Sequence, residues 1–378
     1  MTIWRNISRF AAAALGSAML AATLPAGGAL AEDSLASFQE ALKPYLGGTT
    51  GWDGPTEGPV LAAGKNIVIL PYDMKNPGNS RLVNAFTAVA GKFGWNVTLA
   101  DGQGTTTGQQ AAINQALSLN PDGIVLVSFP DTFIPYFQQA RERGIKVVGL
   151  TSAPNFGPFL DQGIDWNVMQ RIEDLGKALA DWVIVDSKGE GRVILISDKA
   201  FSVVEAKVAA MRAEFQRCAG CEIVLDTQVP FADANVRLPQ LVPSWLNQYG
   251  LDKPLYIAHP ADYFITFEIP ALRSAGVQHG QVVLAGMDGD PAVYDRIRAD
   301  DSFQKVTIPF PFEMQAYQAI DTLNRLFAGQ TPADYPSPVL LIDKTTVDTA
   351  GGENNEYIPQ NGYAEKYAEL WKTGKTTP

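Results

Sequence analysis

Histidine and cysteine are nearly missing from this sequence, with two of each in 378 residues. That supply cannot build a four-cysteine zinc site, and no HExxH run is present. A disulfide-rich scaffold is excluded by the same count. Basic charge is also short: 29 Lys and Arg stand against 40 Asp and Glu, a net charge of −11. A nucleic-acid surface, which needs a basic patch, is therefore not expected. There is no G-x-S-x-G nucleophile elbow and no G-x-x-x-x-G-K-[ST] phosphate loop. Gly102, Gly104 and Gly108 come close to a dinucleotide fingerprint, but the third glycine falls one residue late. The following strand ends Leu126-Val127-Ser128, without the acid that would hold a ribose. An ordinary strand-to-helix turn is the simpler reading. No catalytic set and no cofactor follow from this inventory.

What is present is ample core material. Apolar residues are 46% of the chain and charged residues 18%, which is a globular balance with room for about two domains. The first residues stand apart. Arg5 and Arg9 precede an almost unbroken apolar run from Phe10 to Leu24, and Ala29-Leu30-Ala31 supplies an A-x-A cleavage site. This is the layout of a secretory signal peptide over residues 1–31. The run is shorter than the roughly 20 residues that span a bilayer. An exported, soluble, periplasmic protein is expected, in an oxidising compartment.

Residues 32–64 read as an arm. Leu35, Phe38, Leu42 and Leu46 have helical spacing, and the turn-rich stretch that follows offers Trp52 to pack it onto the body. From Lys65 onward short apolar runs alternate with helical segments, beginning with Asn66–Leu70 and Arg81–Phe93. Such runs predict parallel strands covered on both faces. The rhythm restarts after Arg171, so two lobes of similar build are expected, with a ligand cleft between them. Cys218-Ala219-Gly220-Cys221 closes a helix rather than opening one. A disulfide clamping the turn is the first reading, with a redox pair and free thiols as the alternatives.

Ligands of open α/β sheets bind beyond the carboxyl ends of the strands. The loops there bring Tyr72, Asn76 and Asn79 after the first strand, then Thr151. Later loops bring Phe231, His259 with Asp262, Asp288, and Phe310. Amides, carboxylates and hydroxyls beside aromatic rings suit a neutral hydroxylated ligand. Each loop has a plainer reading as well. Asp288 can cap a helix, His259 can be a satisfied histidine, and Phe310 and Phe312 can be core.

The mature sequence resembles the type I periplasmic solute-binding proteins of ABC importers, in the ribose- and galactose-binding group. The resemblance rests on the export signal, the strand Ile67–Leu70 followed by Asn76-Pro77, the strands Asp122–Leu126 and Gly144–Val148, and above all Ala285-Gly286-Met287-Asp288-Gly289. It implies an α/β fold of two Rossmann-like lobes with parallel sheets, joined by a three-crossover hinge near 164–166, 309–310 and 340–342. The lobes would then be 65–164 with 311–340, and 165–310 with 341–350, leaving a tail at 351–378.

The resemblance also carries residues over. Tyr72, Asn76 and Asn79 fall in the family's first binding loop, Asp288 on its hydroxyl-binding Asp, and Lys207 where ribose-binding members place an Arg. Thr151-Ser152 stands where sugar binders have Asp-Arg, Ala261 where an Asn is common, and Phe310 near an expected Gln. The cleft has exchanged forked polar groups for aromatic ones. A sugar or sugar derivative is the first expectation; a less polar nucleoside or aromatic ligand is the alternative. The implied action is capture by hinge closure and delivery to an ABC permease by a monomer. A chemoreceptor or sensor kinase is a second class of partner, and an exported enzyme the least supported reading.

Overall fold

The computed structural model describes residues 34–299, 302–351 and 354–376. The signal peptide expected at 1–31 lies outside these residues. Among the described residues twelve strands form two sheets of six. The first sheet holds β1 (Asn66–Pro71), β2 (Asn96–Leu99), β3 (Gly123–Val127), β4 (Lys146–Leu150), β5 (Gly157–Phe159) and β6 (Ile164–Val168). Its order is β2-β1-β3-β4-β6-β5, parallel except for the β5 edge. The second holds β7 (Arg192–Ser197), β8 (Glu222–Gln228), β9 (Leu255–Ala258), β10 (Val282–Asp288), β11 (Gln304–Pro309) and β12 (Ile342–Asp343). Its order is β12-β11-β10-β9-β7-β8, with only β12 antiparallel.

Helices cover both faces of each sheet. The first lobe is flanked by α2 (Pro77–Lys92) with α10 (Phe312–Phe327), and by α3 (Thr106–Leu119) with α4 (Ile134–Glu142). In the second, α5 (Ile172–Asp186) and α6 (Ser202–Phe215) cover one face. The other carries α7 (Ala234–Tyr249) and α8 (Asp262–Ser274). The short α9 (Pro291–Arg298) and α11 (Val347–Ala350) pack beside β12. Strands such as Gly123–Val127, buried at every residue, are what a doubly covered parallel sheet requires. Among the described residues no helix is long and apolar enough to cross a membrane.

The first lobe change falls later than the sequence suggested. Ile164–Val168 does not leave the first sheet; it pairs with β4 through Val148↔Trp166 and Leu150↔Val168. Polar side chains hold it there. Asp165 accepts from Arg141 Nε at 2.7 Å and from the Val147 N–H at 2.8 Å, and Asn167 accepts from the Ser152 N–H at 3.0 Å. The chain crosses only at Met169–Arg171, where the Gln170 amide donates to the Pro309 carbonyl of a second crossing. The third crossing runs from the end of α10 to β12.

The N-terminal arm also bridges the lobes. The arm helix α1 (Leu35–Leu46) buries Phe38 and Leu42 in the core of the second lobe. Burying two such side chains contributes roughly 1.5–3 kcal/mol each. That holds a 12-residue helix, which would be marginal alone. Trp52 then meets Tyr335 and Tyr367 edge-on, at 5.5 and 5.3 Å. Residues beyond it bind the first lobe, through the Asn324 side chain to Pro59 and Ala62 and through Arg325 to the Glu57 carbonyl. The C-terminal helix α12 (Tyr363–Thr373) returns to the same lobe and stacks Trp371 on Tyr317.

Cys218 and Cys221 are joined, with Cα atoms 5.3 Å apart, in the turn from α6 into β8. Alkylation of the protein without reductant should therefore label neither cysteine in mass spectrometry. Two labels per chain would show free thiols instead.

Candidate functional site

The carboxyl ends of both sheets converge on one cavity. The space between its lining atoms, counted with the open mouth, is about 520 Å³. From the first lobe it is lined by Tyr72, Asn76 and Asn79 after β1, Ser128 after β3 and Thr151 after β4. From the second come Phe201 and Lys207 after β7, Phe231 after β8, Asp288 at the end of β10 and Phe310 after β11.

Local structure explains several of these positions. The Asn76 carboxamide oxygen caps α2 by accepting from the Asn79 N–H at 3.2 Å, and Pro77 opens the helix. The Asn79 amide in turn donates to the Asp73 carbonyl at 3.3 Å. Ser128, Thr151 and Asp288 all have positive φ, at 48°, 53° and 98°. Strained backbone of this kind persists only where the surroundings over-determine it, and three of the seven described non-glycine residues with positive φ line this cleft. The Ser128 and Thr151 hydroxyls lie 3.0 Å apart, and Thr151 donates to the Leu150 carbonyl.

Lys207 is the charged centre of the second lobe's wall. It is 4% exposed, and its ammonium donates to Asp288 Oδ1 at 3.0 Å and to the Pro260 carbonyl at 2.9 Å. It also sits 4.9 Å from the centre of the Phe310 ring. Burial pushes the Asp288 carboxyl up from the ordinary carboxylate range, and Lys207 pulls it part of the way back. Ammonium and carboxylate together leave the wall with no net charge.

Two residues expected in the site stand behind it. His259 is fully buried, with Nδ1 3.0 Å from the Ala285 carbonyl oxygen and Nε2 2.9 Å from Glu268 Oε2. Asp262 is equally buried and accepts from Gln304 Nε2, the Thr307 hydroxyl and the Gly289 N–H, at 2.7, 2.7 and 2.9 Å. The lining residues of this loop are Pro260 and Ala261, between those two. Asp262 instead fixes the turn that carries Asp288. Burial, and then the neighbouring Asp290 carboxylate, push its own carboxyl well up.

Ser128, Phe201, Val203 and Val204 line the cavity without having been singled out from the sequence. The rule that selected the other loops applies equally to Ser128, which directly follows β3, and to Phe201, in the turn after β7.

The lobes are closed on one another. Asp131, in the loop after β3, accepts from the Ser202 N–H and hydroxyl at the start of α6, at 3.2 and 3.0 Å. The Asp131 N–H donates to the Ala200 carbonyl at 3.2 Å. The Tyr72 ring meets the Phe201 ring edge-on at 5.1 Å across the same seam.

Comparison with known proteins places this architecture. The periplasmic binding protein domain family matches residues 67–331. No curated protein matches the sequence. Among solved structures, an ABC transporter solute binding protein from Agrobacterium vitis with bound allitol is similar at 22% identity and a TM-score of 0.63. The match covers 75% of this chain and 97% of that one. One from Bacillus halodurans with bound myo-inositol is similar at 18% identity and a TM-score of 0.64, covering 76% and 96%. A sugar ABC transporter structure from Yersinia enterocolitica reaches a TM-score of 0.69 at 17% identity, covering 85% and 98%. At such identities the likeness to these structures is one of fold.

Proposed function

Because the chain belongs to the periplasmic binding protein domain family, we propose that it is an exported solute-binding protein that hands its ligand to an ABC permease. The ligand on this reading is a neutral hydroxylated small molecule, a sugar or sugar derivative first of all. The observation that carries the proposal is the cavity enclosed between the strand ends of both lobes, with Asp131 and Ser202 bonded across its rim. Only a molecule admitted while the lobes are apart can occupy that space. Its contacts to both walls would then favour the closed state, and a ligand shifts such an equilibrium by its differential affinity for the two states.

The electroneutral Lys207–Asp288 wall supports a neutral solute. The allitol and myo-inositol of the similar structures agree with that class. The leader read at residues 1–31 supports periplasmic export. Binding and hinge closure are the whole mechanism, with no chemical step. The closed face formed by both lobes is the surface that would meet the permease.

A thermal-shift scan of ligand-free mature protein against sugars, polyols and nucleosides tests the reading. A ligand at about 100 times its dissociation constant adds about 2.7 kcal/mol to the folded state. A clear rise in Tm with one sugar or polyol is expected. A flat response to every hydroxylated compound would refute the ligand class.

A further inference from the structure

We infer that the ligand is amphipathic: a small hydroxylated head, such as a vicinal diol, on a neutral aryl-sized apolar body. The inference rests on the solute-binding reading above and narrows its ligand. It comes from asking which polar groups of the cavity are still free. The Asn76 oxygen is committed to the α2 cap, and the Asn79 amide to the Asp73 carbonyl. The Tyr72 hydroxyl is turned to the Gly104 carbonyl. Thr151 donates to Leu150, so Ser128 donates to Thr151 and offers the cavity only lone pairs. Lys207 has given two of its N–H groups to Asp288 and Pro260.

The donors that remain are the Asn76 amide N–H₂ and one Lys207 N–H; the acceptors are the Asn79 amide oxygen, Asp288 Oδ2 and the lone pairs of the Tyr72, Ser128 and Thr151 hydroxyls. A hexopyranose carries a hydroxyl on nearly every ring carbon, each both donor and acceptor. Enclosing it here would strand most of them, and each unpaired buried hydroxyl counts against binding. No guanidinium lines the cavity to serve two hydroxyls at once. The free donors lie only on Asn76 and Lys207, one residue on each wall, and that supply matches a diol.

The rest of the wall is apolar. Leu82 contributes from the first lobe, and Phe201, Val203, Val204, Phe231 and Phe310 from the second. The Phe201 and Phe231 rings are packed on each other at 5.4 Å, and Phe231 on Phe264 at 4.4 Å, so this surface is preformed. Rigid aromatic surface binds an aryl group with little ordering cost. A phosphorylated or otherwise charged ligand is disfavoured, since the lining ammonium already has its carboxylate.

The test is calorimetry on unliganded mature protein with 3-phenoxy-1,2-propanediol, glycerol, D-galactose and D-ribose as probes. The aryl diol should bind at least about tenfold more tightly than the other three, and Phe231→Ala should erase about tenfold of that affinity. If a sugar binds more tightly than the aryl diol, the amphipathic ligand is refuted and the sugar-binding reading stands. If the aryl diol binds but Phe231→Ala leaves its affinity unchanged, the apolar wall is not what holds the ring, and the inference also fails. If no probe binds, the amphipathic ligand is refuted, and the wider thermal-shift scan decides the solute-binding reading.

Discussion

Asp288→Ala should weaken ligand binding at least about tenfold in calorimetry, and Asp288→Asn should do so with less damage to the fold. Asp288 is the one carboxylate among the lining residues, and among the described residues its bond is through Oδ1 to Lys207, which leaves Oδ2 to accept from a ligand hydroxyl. Charge-assisted bonds of this kind are roughly twice as strong as neutral ones. The two substitutions separate binding from stability. Alanine leaves the 4%-exposed Lys207 ammonium without its partner, and breaking a buried pair from one side costs about 3–5 kcal/mol. It also places an ordinary side chain at φ 98°, a region that Asp and Asn tolerate better than Ala. Asparagine keeps the shape, the backbone tolerance and an acceptor for Lys207, and removes only the charge. A normal dissociation constant in both variants would take Asp288 out of the site. A lowered Tm with intact affinity would leave it a purely structural role.

Much of this arrangement was legible in the sequence, for a physical reason. A parallel strand buried on both faces must be apolar throughout, so Ile67–Leu70, Ile124–Val127 and Val147–Leu150 announce themselves. The loops at their carboxyl ends then follow from topology alone. The edge strands Gly157–Phe159 and Ile342–Asp343 were not read, because a short edge strand needs no apolar run. The crossing that the resemblance implies near 164–166 falls instead at Met169–Arg171, because Asp165 and Asn167 hold β6 in the first sheet. Their partners, Arg141, Val147 and Ser152, become visible only once β4 and β6 are side by side.

The same limit explains His259 and Asp262. Four consecutive residues, His259 to Asp262, follow β9, and sequence alone does not say which turn toward the cleft. The backbone faces Pro260 and Ala261 to the cavity and sends the two titratable side chains inward, where Asp262 finds Gln304, Thr307 and Gly289. Polar residue type pointed to the ligand; backbone direction assigned them to support. An apolar cleft lining such as Val203 and Val204 carries no signal of its own, because at helical spacing it reads as core.

Stability should fall as pH rises from about 4 to about 7, and Asp290→Asn should flatten that slope. Asp290 precedes α9, is 7% exposed, and its Oδ1 has no hydrogen-bond partner. Burial, and next the Asp288 carboxylate, push its pKa up to about 7, against the partial opposition of Arg296 and Arg81. In the unfolded chain the group titrates near the ordinary value of about 3.9. Between those two pH values the folded protein binds the proton and the unfolded chain does not. Unfolding therefore releases a proton, and the folded state loses up to about 1.4 kcal/mol per pH unit across that window. The contribution is fully present below about pH 4 and fully lost above about pH 7. Other carboxyls add slopes of both signs, since burial also pushes Asp181 and Asp262 up while Asp122 and Glu205 are held below their ordinary range. The informative quantity is thus the difference between the parent and Asp290→Asn in urea unfolding at several pH values. The variant should gain on the parent steadily from pH 4 to 7, by a few kcal/mol, and hold that gain at pH 8. A difference independent of pH would mean that Asp290 is ionised in the folded protein throughout, and that Arg81 and Arg296 outweigh the burial of its carboxylate.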